Sequence, residues 1–295
     1  MLRTLLVLLV LAGVGCGGAP AATSEEAPPE TSAPALTLEV YTSNDYGYAT
    51  TSTLVAGETD AVLIDPQFLA SDARRVVEMI NASGRNLTTV YTTHAHPDHL
   101  FGIAVIKEAF PNARYVALPE VAARVETAWP ARRNFWYPTY GDELPSEVPI
   151  VPEALATPTL TLEGETMEIT GEVVGDGPGN SFVWIPSLRA VVAGDTVFYR
   201  RHMGVPADPT AWLATLDRID ALDPEILVPG HKDEDAPDDP AATQWMREYI
   251  ADFNAFKAES ASPEELKAKV LAKYPDAAMP DRLDQAVEAA FASGR

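Results

Sequence analysis

Cysteine occurs once in the 295 residues, at Cys16, so no disulfide can form within the chain. Stability has to come from a packed core and any bound metal. Basic residues are also few: 21 Lys and Arg stand against 43 Asp and Glu, a formal net charge of −22. Nucleic acid is excluded as a partner class, because phosphate binding needs a basic surface. Long apolar runs are missing as well, and the run at residues 5–14 is too short to span a bilayer comfortably. Imidazole is scarce, with five His in the whole chain.

The first sixteen residues, "MLRTLLVLLVLAGVGC", combine one Arg, an apolar stretch and small residues, and read as a secretory signal. Cys16 follows Gly15 at its end and resembles the lipid-attachment site of bacterial lipoproteins, although Gly13 stands where that pattern usually has Leu. An ordinary cleaved signal, with Cys16 lost, is the alternative. Residues 17–35 are rich in Ala, Pro, Ser and Glu without large apolar side chains, the composition of a disordered tether. The expectation is an exported, periplasmic lipoprotein that touches the membrane only through Cys16.

The remainder, with 46% of the chain hydrophobic, can build a sizeable core. "TLEVYT", "TSTLVAG", "AVLIDP", "NLTTVYTT" and "RYVALP" read as strands, interleaved with helices over residues 71–83, 101–110 and 120–128. A Pro- and aromatic-rich stretch, 129–158, reads as a long ordered loop and candidate lid. A second block of strands follows ("LTLEG", "TMEITGEVVG", "SFVWIP", "RAVVAG"), then a helix over 209–222, the strand "EILVPG" and a tail of two or more helices. The pattern is α/β, with a domain over residues 36–235 and a C-terminal helical extension over 236–295. In that extension Trp245, Tyr249, Phe253 and Phe256 fall at helical spacing, most simply as a packing stripe, with a dimer contact as the sharper alternative.

Three of the five His stand in "TTHAHPDHLFG". His94, His96 and His99 with Asp98 are metal ligands by type, nitrogen donors joined by a hard oxygen. In a loop, His94 and His96 can grip one ion while Asp98 and His99 reach a second, with Pro97 fixing the backbone between the pairs. The segment resembles the H-x-H-x-D-H signature of the metallo-β-lactamase superfamily, and the resemblance runs from about Leu36 to Lys232. "GDGPGN" stands in the place of the family's G-H-x-P-G turn, "VVAGDTVF" matches the strand ending in Gly-Asp, and "LVPGHK" the strand ending in Gly-His. The resemblance implies a four-layer αβ/βα sandwich. It also implies Asp195 as a metal-bridging carboxylate, His231 as the last ligand, and Asp65 as a structural support of the ligand loop.

Asp176 stands where the family has His. A third carboxylate lowers the positive charge of a two-ion site by one, which makes bound water less acidic and lets Fe or Mn compete with Zn. The leading expectation is a dinuclear hydrolase of the lactonase and glyoxalase II-like branch. There a metal-bridged hydroxide attacks an ester, lactone, thioester or lactam carbonyl, and Asp98 handles the proton. One alternative is a mononuclear non-haem iron oxygenase of the persulfide-dioxygenase kind; another is a metal-impaired binding or sensing lipoprotein. Candidates for substrate contact are Lys232 for a carboxylate, His202 for an oxyanion, Arg200 and Arg201 for an anionic group, and Trp136, Tyr137 and Tyr140 for an apolar lid. Each has an ordinary packing or solvated role as its alternative.

Overall fold

The computed structural model describes residues 36–292; the expected signal and tether, with Cys16, lie outside the described residues. Two sheets carry the fold. In the first, strands β1 (Thr37–Thr42), β2 (Thr51–Ala56), β3 (Asp60–Ile64), β4 (Asn86–Tyr91), β5 (Arg114–Ala117) and β6 (Glu153–Ala154) lie in chain order. The first three pair antiparallel and the rest parallel. Parallel neighbours need crossovers, and these are the helices α1 (Ala70–Ser83), α2 (Ile103–Ala109) and α3 (Pro119–Tyr140). Residues 61–64 of β3 are all buried, the continuous apolar run of a strand covered on both faces. α1 ends where its sequence predicts, at Gly84 in the left-handed conformation.

The second sheet takes the order β12-β10-β9-β8-β7, with β7 (Thr159–Leu162), β8 (Glu165–Val174), β9 (Pro178–Ile185), β10 (Ala190–Val192) and β12 (Ile226–Val228). A two-residue ribbon, β11 (Phe198–Tyr199) with β13 (His231–Lys232), lies beside it. Helix α4 (Thr210–Asp220) precedes β12, and α5 (Ala241–Ala258), α6 (Pro263–Lys273) and α7 (Pro280–Ala292) follow β13. The period of two along these strands divides the interior. Val183, Ile185, Ala190, Val192 and Val228 join the core that the first sheet forms with α1–α3. Phe182, Val191 and Leu227 face a second core, built with Trp212 of α4, Tyr249 and Phe253 of α5 and Leu283 of α7. The result is the four-layer αβ/βα sandwich with a helical C-terminal region. The aromatic stripe of α5 is packing: Tyr249 and Phe253 are buried, and Trp245 stacks on Tyr249 with ring centroids 5.3 Å apart.

One expectation fails. The stretch from Trp129 to Pro158 is not a long loop, because α3 runs on through Pro130 and Pro138 to Tyr140. Each proline removes a backbone donor and disfavours helix in the residue before it. Distant contacts outweigh that local cost. The buried Trp129 donates its indole N–H to the Ser146 carbonyl at 2.9 Å, and Arg132 and Arg133 donate to the carbonyls of Ala95 and Pro145 at 2.7 and 3.1 Å.

The two sheets are tied at one end by Glu163, on the β7–β8 turn. Its carboxylate accepts the backbone N–H groups of Glu58, Thr59 and Asp60 at 2.7, 2.7 and 2.8 Å, and the Thr59 hydroxyl at 2.8 Å. Those backbone donors hold the carboxyl down from its ordinary 4.5 to about 2. A depressed folded-state value stabilises the native state above pH 4.5, and the contribution drains away as the pH falls toward 2. Urea midpoints measured across that range should therefore decline less steeply in Glu163→Gln than in the native protein; parallel profiles would count against the clamp.

Candidate metal centre

The chemistry-bearing side chains sit at the carboxyl ends of parallel strands, where open α/β sheets present their sites. Asp65 follows β3, the His94–His99 loop follows β4, Asp195 follows β10 and His231 opens β13 just after β12. Asp176 comes from the β8–β9 turn. These segments meet backbone on backbone. A Cβ at Gly230 would lie 2.3 Å from the Gly194 carbonyl, and one at Gly175 would lie 2.2 Å from the Asp195 carbonyl oxygen. Only glycine allows approaches that close.

Asp195 is the hub. Its Oδ2 lies 3.0 Å from His94 Nε2 and 2.9 Å from His96 Nδ1, while Oδ1 lies 2.9 Å from both His99 Nε2 and His231 Nε2. Asp98 Oδ2 is 3.3 Å from His231 Nε2, and Asp176 Oδ2 is 3.4 Å from His96 Nδ1. His94, His96 and Asp195 form one compact donor group, and Asp98, His99 and His231 a second, each within 4.8 Å. All seven predicted ligands are thus brought together, with Asp176 at the margin on a side chain 31% exposed.

The donor set fits metal ions better than hydrogen bonds. Oδ1 of Asp195 is buried and accepts no hydrogen bond, although two ring nitrogens stand 2.9 Å away. Two imidazole nitrogens, on His99 and His231, face each other at 3.2 Å. Such converging lone pairs suit a cation, and the nitrogen-rich mixture with carboxylate suits a borderline divalent ion.

Supporting contacts orient these rings. Asp65 accepts His99 Nδ1 at 2.8 Å, the Thr93 backbone N–H at 2.8 Å and the Thr93 hydroxyl at 2.8 Å, which leaves His99 Nε2 turned inward. His231 Nδ1 lies 2.9 Å from the Tyr48 carbonyl. Electrostatics follow the packing. Burial opposes charge on Asp195, yet His99, His94 and His231 hold its carboxyl well below the ordinary range. Asp98 behaves alike: burial raises it, and His99 and His231 outweigh that and lower it. Asp176 goes the other way, pushed up to about 7 by burial and by Asp195. Burial lowers His94 to about 4, whereas His99 is raised well above its usual value, because Asp195 and Asp65 outweigh its burial.

A sequence profile of the metallo-beta-lactamase superfamily matches residues 45–231. The chain belongs to that superfamily. No curated protein matches its sequence. Among solved structures, a metallo-beta-lactamase from Pontibacter korlensis superposes with a TM-score of 0.53 at 15% identity, covering 73% of this chain and 99% of that one. The DIM-1 metallo-beta-lactamase gives 0.52 at 18% identity, covering 73% and 96%. At such identities the likeness concerns the fold.

Above the centre of this superfamily member lies a cavity of about 860 Å³. Asp98, Asp176, Asp195, His96 and His231 face it, and Phe135, Trp136, Val205 and Phe253 are among its apolar walls. Of the aromatics expected to form an apolar lid, Trp136 lines the cavity. Tyr137 does not line the cavity and carries the Arg133 guanidinium 3.7 Å above its ring, and Tyr140 packs on Phe68 with centroids 4.9 Å apart. Lys232 is not a cavity residue either: its ammonium is spent on the Ala236 carbonyl at 2.8 Å and on Asp238 at 2.9 Å. His202 is buried with Nδ1 3.0 Å from the Tyr249 hydroxyl and does not line the cavity, so it cannot reach an oxyanion there; burial lowers it to about 4. Alternate residues of an extended chain point to opposite sides, so His231 and Arg201 face the cavity where Lys232 and His202 cannot. Arg200 lies outside it.

Sequence reasoning missed Tyr48, Arg132 and Arg282 as cavity residues. Tyr48 gives no signal because its decisive atom is a backbone oxygen, presented at a φ of +70°.

If Asp65 fixes His99 for metal binding, Asp65→Asn should weaken metal affinity about 10- to 100-fold. Competition against a chromophoric chelator reads this directly, and unaltered affinity would remove Asp65 from the support.

Proposed function

We propose that the protein hydrolyses a small ester, lactone, thioester or lactam at a centre holding two divalent ions, Zn foremost and Fe or Mn as competitors. The observation that carries this reading is Asp195, with one carboxylate oxygen toward each of two donor groups. His94, His96 and Asp176 would hold one ion, Asp98, His99 and His231 the other, with Asp195 between them. Bound there, the ions supply Lewis-acid polarisation of the carbonyl and a lowered pKa for water. Asp98 lines the cavity. It would hold an attacking water and carry the proton to the leaving oxygen, sulfur or nitrogen. The hydroxyl goes to the acyl carbon and the acyl bond breaks. The cavity volume, about 860 Å³, suits a small molecule. Net charge argues against acidic polymers as substrates. We also place this activity outside the cytoplasm, on a chain tethered through Cys16, the reading that the first 35 residues support.

A second reading has its own observation. His94, His96 and Asp195 form a two-His, one-carboxylate group, the donor type of non-haem iron oxygenases. The intact Asp98, His99 and His231 favour the hydrolase.

A panel of 4-nitrophenyl esters, thioesters and lactones, assayed on the metal-loaded protein, separates the two. Chelation should abolish turnover. Asp98→Asn should lower kcat by about 10²- to 10⁴-fold with the far-ultraviolet spectrum unchanged. Turnover that survives either treatment, or oxygen uptake in place of hydrolysis, would displace the proposal.

A further inference from the structure

The cavity is acidic only around the metal centre. Its carboxylates are Asp98, Asp176 and Asp195, whereas its remaining lining carries Arg132, Arg201, Lys257 and Arg282. None of these four cations has a described carboxylate within 4.0 Å. In a chain of 43 acidic and 21 basic residues, unpaired cations gathered round one cavity call for a counter-charge from outside.

Arg201 is the strongest sign. It is 4% exposed, and its Nε–H has no acceptor. A buried guanidinium without an anion is costly, because desolvation is left uncompensated. One further N–H goes to the Tyr48 carbonyl at 2.7 Å, the same oxygen that stands 2.9 Å from His231 Nδ1. A single oxygen therefore separates Arg201 from a ligand ring. Arg282, from α7, lies with its guanidinium 4.0 Å above the Tyr48 ring and is steadied by Gln285 at 2.6 Å. Burial and the neighbouring Arg282 push Arg201 down to about 10, against the pull of Asp195, Asp98 and Asp45, whose carboxylates all lie beyond 4.0 Å. Beside this pair the walls are apolar: Phe135, Trp136, Phe253 and Ala286.

We propose that Arg201 and Arg282 form an oxyanion-binding pair, and that the substrate is an amphiphilic anion. Its carboxylate, sulfate or phosphate group rests on the two guanidinium groups, its hydrocarbon part fills the apolar walls, and its scissile acyl bond faces Asp98. The bound chemistry stands on the cations alone; that the molecule is cleaved rests on the hydrolase reading.

Binding can be measured without turnover. Octane-1-sulfonate, a poor metal ligand, and uncharged octan-1-ol are titrated into the full-length protein by calorimetry at low ionic strength, before and after chelation. The sulfonate should bind at least about tenfold more tightly than the alcohol, before and after chelation alike, as expected for a charge-assisted hydrogen bond. Arg282→Gln should cost about tenfold, and Arg201→Lys a similar factor, because a point charge replaces a planar fork. Arg200→Gln, outside the cavity, should change nothing. Arg201→Lys keeps the charge if Arg201→Gln fails to fold, and Arg282→Gln tests the pair independently. Equal affinity for sulfonate and alcohol, sulfonate binding that vanishes on chelation, or an Arg282→Gln protein that binds like the native one would each overturn the proposal. A protein that binds the sulfonate normally yet hydrolyses no ester would instead sink the hydrolase reading and leave the anion site standing.

Discussion

The Asp195 carboxylate is the constraint on which the rest of the site depends. It lies where loops from both sheets converge, buried, with two imidazoles on each oxygen. Oδ2 is hydrogen-bonded to His94 and His96, whereas Oδ1, with the His99 and His231 nitrogens 2.9 Å away, accepts nothing. The fold accepts this frustration because the core elsewhere is large and apolar, with separate clusters on the two sides of the second sheet. Local conflict supported by global packing is a common signature of a functional site.

The glycines around Asp195 show how sequence enforces that convergence. Gly175, Gly194 and Gly230 stand against one another's backbones or against Asp195 itself. The Gly-Asp and Gly-His pairs therefore join a backbone that can approach closely to a side chain that can bind metal. Asp176 inherits its position from Gly175: its own N–H donates to the Asp195 carbonyl at 3.0 Å, so the turn places a carboxylate beside His96. The extra negative charge sits on the more exposed flank of the centre, facing Arg132 across the cavity lining.

Much of this was legible before the structure. All seven ligand-type residues stand in short contiguous or Gly-preceded motifs (His94, His96, Asp98 and His99 in one loop; Asp176, Asp195 and His231 each after a Gly), and local strand periodicity located β3, β4, β10 and β12, which aim most of them. What was not legible was set by long-range contacts. The α3 helix runs through Pro130 and Pro138 because Trp129 and Arg132 find carbonyl partners 17 and 37 residues away. Lys232 and His202 were judged by proximity in sequence, whereas the alternation of an extended chain turns each of them away from the neighbour that lines the cavity. Arg282 lies 51 positions beyond His231 on a helix, and no local pattern ties it to Tyr48.

Metal content tests the central claim most directly. The full-length protein, purified without chelator and analysed by plasma mass spectrometry beside Asp176→His, should hold close to two divalent ions per chain in both forms. One ion or none in the native protein, rising to two in Asp176→His, would contradict the account, because Asp195 would then not be supporting two occupied donor groups.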